Sequence, residues 1–354
     1  MEQQKLYQQA VQLLQQLIQT PSFSKEEDKT AAILSSFLEQ HGVEVHQQLN
    51  NVWTYNKHYN PQLPTILLNS HHDTVKPNPG YTRDPFMATI EEGKLYGLGS
   101  NDAGGCLVSL IATFLYFYKQ PNKKYNLVLA ATAEEEITGR NGIELILPQL
   151  GNINAAIVGE PTEMHLAVAE KGLLVLDCVA KGKAGHAARE EGINAIYEAL
   201  EDIKWFQEYR FEKESEHLGP VKMSVTVITA GTQHNVVPDN CQFTVDVRLT
   251  DAYTMEEVLE TIQQNVKAEV NPRSTRLKPS SIPMEHPLVQ AGLEMGRNTY
   301  GSPTTSDQAL LPMPSLKMGP GFSGRSHMAD EYIYLHEIEE GIKLYINLLE
   351  KVLR

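Results

Sequence analysis

Between residues 67 and 77 an apolar run ends in two histidines and an aspartate, LLNSHHDTVKP. Alternate side chains of an extended strand share a face, so His71 and Asp73 project together while His72 faces away. An imidazole beside a carboxylate suits a metal ligand whose ring is steered through its second nitrogen by the acid. A strand end with a solvated histidine pair is the plain alternative. Similar placements recur down the chain. KLYGLGSNDAGG sets Asp102 in a glycine-flanked turn, LVLAATAEEE ends in Glu134, Glu135 and Glu136, NAAIVGEPTE reaches Glu160, and GRSHMADEY carries His327. Hard carboxylates and neutral imidazoles drawn from several strands are the donors that a pair of divalent cations needs, with one carboxylate bridging. Packing so many negative groups together without cations would be costly, so either metal is bound or the clusters lie apart.

Each motif has an ordinary reading on its own. GLGSNDAGG resembles a phosphate loop, but Asp102 fills the third small position of a dinucleotide fingerprint and would repel a pyrophosphate. AEEEITG could be an acidic first helical turn, although three glutamates exceed what the dipole needs. GEPT is a common turn with Pro161 fixing its geometry, and GRSHMADEY a common surface loop. Their joint occurrence, in this order, is what argues for a metal centre.

The elements around them must place these groups together. At 354 residues the chain exceeds the size of a single core, which predicts two domains. A first helix stops at Thr20-Pro21, and SKEE at Ser24 to Glu27 reads as a capping box opening a second helix to about His41-Gly42. PTILLNS, YNLVLAAT and NAAIV read as buried strands, with CLVSLIATFLYFY as an apolar helix. Strands alternating with helices predict an α/β/α sandwich with a largely parallel sheet, whose ligands collect beyond the carboxyl ends of the strands. From about Gly172 the pattern becomes β-α-β-β-α-β, ending in a short strand near TRLKP, which is the order of a ferredoxin-like module. The expected division is a first domain of 1–171 and 280–354 interrupted by an inserted domain of 172–279.

Composition excludes several function classes. A formal net charge of -14 disfavours nucleic acid as a partner. No run of about eighteen apolar residues suggests a membrane span. The opening MEQQKLYQQAVQLLQQLIQT reads as an amphipathic helix, not a signal peptide, and the three scattered cysteines, Cys106, Cys178 and Cys241, suit a reducing cytoplasm without disulfides.

With these motifs in hand, the sequence resembles the dinuclear zinc amidohydrolases that include acetylornithine deacetylase, succinyl-diaminopimelate desuccinylase, aminoacylase and carboxypeptidase G. The resemblance spans nearly the whole chain and implies a zinc-peptidase-like catalytic domain with an inserted ferredoxin-like dimerisation domain. It implies two Zn2+ per subunit, with Co2+ able to substitute. In SHHDTV, His71 corresponds to a ligand of the first zinc and Asp73 to the aspartate that supports it. Asp102 corresponds to the bridging ligand, Glu135 to the general base, Glu136 and His327 to ligands of the second zinc, and Glu160 to a ligand of the first. The family more often has Asp-Glu-Glu where this chain has Glu134-Glu135-Glu136, so a shift of roles by one residue stays open. AGHAAR resembles the family's G-H-x-x-x-P segment, which implies that His186 reaches from a partner subunit to polarise the scissile carbonyl; Arg189 or Glu190 stands near the place of the missing proline. GTQHNVVPD and DVR implicate Asn235 and Arg248 in holding a substrate carboxylate, a task that suits a guanidinium fork. Lys171, at the family's hinge position, is implicated in substrate contact.

The expected activity is hydrolysis of an N-acyl amino acid amide bond in the cytoplasm, by a homodimer acting on a small molecule. The favoured substrate is N-acetyl- or N-succinyl-ornithine, in arginine biosynthesis. Alternatives within the family are succinyl-diaminopimelate desuccinylation and dipeptidase, aminopeptidase or carboxypeptidase action; a non-catalytic binding homologue is the reading from another class. In TTSDQAL, Ser306 and Asp307 are candidates for a pocket wall, with a helix cap as the other reading of Asp307. Arg325 is the candidate for holding a succinyl carboxylate.

Overall fold

The strand Thr65–His71 is buried along its whole length, as is Asn126–Thr132 beside it, the signature of strands covered on both faces. Their alternation assigns the two faces. Ile66 and Leu68 join one apolar cluster with the long helices Glu2–Ile18, Gly105–Phe117 and Leu335–Leu353, whereas Leu67 joins a second cluster with the short helix Ile143–Ile146. Three layers result, helices on either side of one sheet. Its order is His46–Gln48, Asn51–Tyr55, Asn126–Thr132, Thr65–His71, Ile153–Val158, Ser315–Lys317 and Leu166–Glu170. The four central strands run parallel, and Asn51–Tyr55 lies antiparallel at one side.

The computed structural model describes residues 2–121, 124–189 and 191–353. The chain divides into two compact units, one of Met1–Val168, Ser281–Tyr300 and Ser306–Arg354, the other of Ala169–Ser280 and Gly301–Thr305. The second unit holds a four-stranded antiparallel sheet ordered Lys222–Ala230, Asn240–Leu249, Gly172–Lys181 and Glu269–Pro272. With the helices Ala195–Glu208 and Met255–Asn265 it has the β-α-β-β-α-β order of a ferredoxin-like fold. Gly172–Lys181 and Asn240–Leu249 alternate buried with half-exposed residues, and Leu174, Leu176, Phe243, Val245 and Val247 share one core with both helices. Lys222–Ala230 forms an outer edge, with Val227 and Ile228 exposed, and Tyr197 and Leu200 are exposed on the helix Ala195–Glu208.

Two sequence expectations are corrected. The capping box at Ser24 to Glu27 does not form: Glu27 is the N-cap of the helix Asp28–Gln40 and makes no side-chain cap bond, while Ser24 Oγ donates to Asp73 at 2.7 Å. A true capping box sits instead at Thr254 and Glu257. The last strand of the second unit is Glu269–Pro272, not TRLKP. The Asp202 carboxylate accepts the N–H groups of Lys267 and Ala268 at 3.0 and 2.8 Å, ending the helix at Asn265 and turning the chain into the strand earlier than periodicity suggests. The three cysteines are buried free thiols. Among the described residues no helix is long and apolar enough to cross a membrane.

Candidate metal centre

Parallel register aligns His71 with Thr132 and Asn69 with Val158, so the three central strands end together. His71 is the last residue of its strand, and Glu135 and Glu160 follow shortly after the neighbouring ones. The His71 Nε2 atom lies 3.4 Å from Asp102, 3.8 Å from Glu135 and 3.7 Å from Glu160. Asp102 presents its other oxygen to His327 Nε2 at 3.6 Å, and Glu136 lies 3.0 Å from the same nitrogen. Asp102 thus stands between the two histidines, His71 fully buried and His327 exposed at φ +60°. Among the described residues, two overlapping groups have ligand atoms within 4.8 Å of one another: His71, Asp102 and Glu136, and His71, Glu135 and Glu160.

The backbone of the acidic turn explains its geometry. Glu134 adopts a left-handed conformation at φ +57° and points away from the cluster, its carboxylate accepting the backbone N–H and side-chain amide of Asn141 at 3.3 and 2.9 Å. Successive N–H groups of Glu134, Glu135 and Glu136 then donate to Glu27 Oε1 at 3.2 Å and to the two oxygens of Asp73 at 3.0 and 3.2 Å. Asp73 therefore holds the turn with its carboxylate, while the hydrogen bond to His71 Nδ1 is accepted by its backbone carbonyl at 3.0 Å; its carboxylate lies farther from that nitrogen, at 3.5 Å. Sequence reasoning assigned the ring only to the side chain. It also missed Glu27, fully buried and holding Asn50 at 2.7 Å, and Glu331, whose carboxylate accepts the N–H groups of Gly99, Asn101 and Asp102. A carboxylate four residues past His327 was the only available signal for Glu331. His72 is buried away from the cluster between Thr30 Oγ1 at 2.9 Å and the Asn50 carbonyl at 2.8 Å, and burial lowers its pKa to about 4.

Electrostatics mark the cluster as short of positive charge. Burial would depress the His71 pKa, but the carboxylates facing it, Glu135 foremost, hold it well above the usual value. Burial and then Asp102 push Glu160 up to about 8, and burial raises Glu135 well above its ordinary range against the pull of His71. The hydrogen bond to Glu136 raises His327 to about 9. Meanwhile His71 Nε2 is buried with no hydrogen-bond partner among the described residues, although acidic oxygens surround it. An orphaned imidazole nitrogen among hard carboxylates, some reluctant to ionise, fits divalent cations: the donor set matches and their charge would remove the repulsion.

Two residues near the site have other occupations. Asp307 accepts from Asn69 at 2.8 Å and Thr132 at 2.7 Å, buried beside the strand ends, and the turn Asp307–Leu310 is capped by Ser306 instead. Arg325 makes a bidentate pair with Glu337 at 2.7 and 2.8 Å and lies over the rings of Tyr332 and Tyr334.

The remaining sequence candidates lie in the second unit. The two-residue ladder pairing His186 with Val236 brings exposed His186 beside Asn235, whose carbonyl accepts from Ala187 at 3.1 Å. His186 Nδ1 accepts the Ala188 N–H at 3.1 Å, so a neutral ring carries its proton on Nε2. Arg248 is held by Asp246, two residues earlier on the same strand face, at 2.8 and 3.0 Å, with Nη1 on Thr305 at 3.4 Å. Lys171 donates to the Pro220 carbonyl at 3.1 Å, and burial, with Lys222 and Arg248 nearby, lowers its pKa. Glu190 lies outside the described residues.

Residues 67–351 match the family described as Peptidase family M20/M25/M40. Acetylornithine deacetylase of Proteus mirabilis is 28% identical, covering 96% of both chains. Succinyl-diaminopimelate desuccinylase 2 of Ruegeria is 26% identical over 73% of this chain and 69% of its own. Among solved structures, a dinuclear metal binding peptidase of the M20 family from Bacillus subtilis superposes with a TM-score of 0.76, 18% identity and 99% coverage of each chain. A metallo-carboxypeptidase from Sulfolobus solfataricus gives 0.76, also at 18% identity, covering 96% of this chain and 98% of its own; these two likenesses establish the fold alone.

Proposed function

The chain belongs to peptidase family M20/M25/M40, a family of metal-dependent hydrolases, and from that membership we propose that it hydrolyses the amide bond of an N-acyl amino acid, with N-acetylornithine as its substrate. The carrying observation is the orphaned His71 Nε2 ringed by carboxylates, with Asp102 shared between His71 and His327. His71, Asp102 and Glu160 would hold one divalent cation and Asp102, Glu136 and His327 a second, Zn2+ being the expected metal at both. When bound, the cations would supply Lewis acidity toward the scissile carbonyl and the attacking water.

The protein's own groups do the rest. Glu135 takes the proton of the water and returns it to the leaving amine; a base whose proton affinity is raised by burial suits both halves of that task. Asp73 fixes the peptide units of Glu135 and Glu136 and so aims both side chains. Nε2–H of His186, supplied by a second copy of the chain, donates to the carbonyl oxygen as charge develops there. Arg248 and Asn235 receive the substrate carboxylate, with Lys171 beside Arg248.

The inserted domain, 172–279, is assigned to dimerisation within a cytoplasmic homodimer, with 1–171 and 280–354 as the catalytic domain. An exposed outer strand bearing Val227 and Ile228 supports a face that pairs with another copy. The ornithine assignment, and with it a place in arginine biosynthesis, is favoured by the similarity to acetylornithine deacetylase over nearly the full length of both chains.

Acetyl is favoured over succinyl by Arg325, whose fork is taken by Glu337, so a succinyl carboxylate would have to displace a half-buried ion pair. The test compares kcat/KM on acetyl-ornithine, succinyl-ornithine, acetyl-citrulline, succinyl-diaminopimelate and acetyl-methionine, with and without Arg325→Ala. Acetyl-ornithine should lead in both. A lead for acetyl-methionine or diaminopimelate defeats the assignment, and a succinyl preference abolished by Arg325→Ala reverses the acyl group. Arg248→Ala should raise KM roughly ten- to a hundredfold, the worth of a hydrogen bond to a charged group, with kcat less affected. An unchanged KM would point to an aminopeptidase that needs no carboxylate clamp.

A further inference from the structure

Strand Lys94–Tyr96 pairs antiparallel with Tyr332–Tyr334, with Tyr96 opposite Tyr332. The ladder places Glu331 opposite Gly97, whose N–H donates to the Glu331 carbonyl at 3.0 Å. Beyond Gly97 the chain curls around the Glu331 side chain. Gly99 N–H donates to one carboxylate oxygen at 3.0 Å, and the N–H groups of Asn101 and Asp102 donate to the other at 2.8 and 2.9 Å. The curl needs glycine: Gly99 sits at φ +73°, and a Cβ there would stand 2.6 Å from Thr74 Cγ2. Converging N–H groups form an anion-binding concavity, and here a side chain from 229 residues away fills it. Glu331 is only 2% exposed.

A buried carboxylate beside another carboxylate is an expensive way to satisfy three N–H groups. Its position explains the choice. Glu331 binds the peptide N–H of Asp102 itself and lies four residues past His327, so it ties together the two segments that meet at the exposed side of the cluster. His71, by contrast, is carried by the central sheet, independently of Glu331.

We propose that Glu331 is a positioning residue for the metal centre: it sets the backbone of Asp102 so that one carboxylate serves both cations, and it fixes the spacing of Asp102 from His327. The inference rests on the reading of Asp102 as a ligand shared by two cations. It assigns Glu331 to the second cation, held by Asp102, Glu136 and His327, more than to the first.

The experiment is a Co2+ titration of the metal-stripped protein, following bound equivalents and visible absorption, together with hydrogen exchange of the 97–103 segment. Wild-type protein should take up two equivalents. In Glu331→Gln one amide oxygen replaces two carboxylate oxygens. The first equivalent should stay within about threefold, while the second weakens by roughly 10- to 100-fold, the usual cost of losing an outer-shell partner. Its absorption should diminish, and exchange at 97–103 should accelerate. Glu331→Asp keeps the charge but withdraws it by one methylene, so it should show the same selective loss. Unchanged affinity for the second equivalent, or unchanged exchange at 97–103, overturns the proposal. So does failure of both variants to fold, because Glu331 would then serve the whole fold. Fewer than two equivalents in the wild type defeats the dinuclear reading itself, a failure seen before any variant is made.

Discussion

Glu135→Ala is expected to retain both metal equivalents and to lose about 10²–10⁴-fold in kcat, the typical contribution of a general base. Glu135 is separable from the other acids by its neighbours. Asp102 and Glu136 approach His327, whereas the histidine that the Glu135 carboxylate approaches is His71, at 3.8 Å, and the Glu135 peptide N–H is pinned by Asp73 at 3.0 Å. Removing its side chain also removes one carboxylate from a cluster that burial already disfavours, so the fold should survive the change. Glu135→Gln, which keeps the shape, should be nearly as inactive. Metal content by elemental analysis and initial rates on acetyl-ornithine decide the matter: activity within tenfold of wild type would place the base elsewhere. Loss of metal together with activity would make Glu135 a ligand, as its grouping with His71 and Glu160 allows.

Stripping the metal with a chelator should abolish turnover and lower the thermal midpoint, both restored by Zn2+. The sign follows from linkage. Cations that bind the assembled cluster but not the unfolded chain stabilise by RT ln(1 + [L]/Kd), about 2.7 kcal/mol at a hundredfold excess over Kd. Without cations, the folded state must keep the carboxylates of Asp102, Glu135 and Glu160 each within 4 Å of His71 Nε2 in a poorly solvated place. Calorimetry with and without chelator, followed by readdition of zinc, measures both effects. A midpoint and a rate indifferent to chelator would sink the metal centre, whereas an indifferent midpoint with no turnover at any stage would favour a non-catalytic binding protein.

The local rules of the backbone made much of the architecture legible. Continuous apolar runs such as TILLN and NLVLAAT become doubly covered strands because the sheet is buried on both faces, and strand periodicity put His71 at the end of one of them. Asp102, in its glycine-flanked turn, argued against a phosphate before any fold was known, since charge and spacing are written in the chain. Five of the six elements of the inserted module follow from patterns a few residues long, while the last strand, Glu269–Pro272, is set by the Asp202 carboxylate at the end of the preceding helix.

What stayed hidden depends on partners far away in sequence. SKEE satisfies the local rule for a capping box, yet Ser24 and Glu27 hold Asp73 and the Glu134 peptide, 49 and 107 residues on. Arg325 reads as a free cation until Glu337 is found on the following helix, and Asp307 as a helix cap until Asn69 and Thr132 are found donating to it. Residue types and short periodicities, which local sterics and burial impose, were therefore the sequence's to determine: strands, helices, and an acid- and histidine-rich set at their ends. Tertiary structure alone decided which carboxylate faces which histidine and which, like Glu27, Asp73 and Glu331, hold the loops that present them, because those choices follow from the register of segments up to more than 200 residues apart.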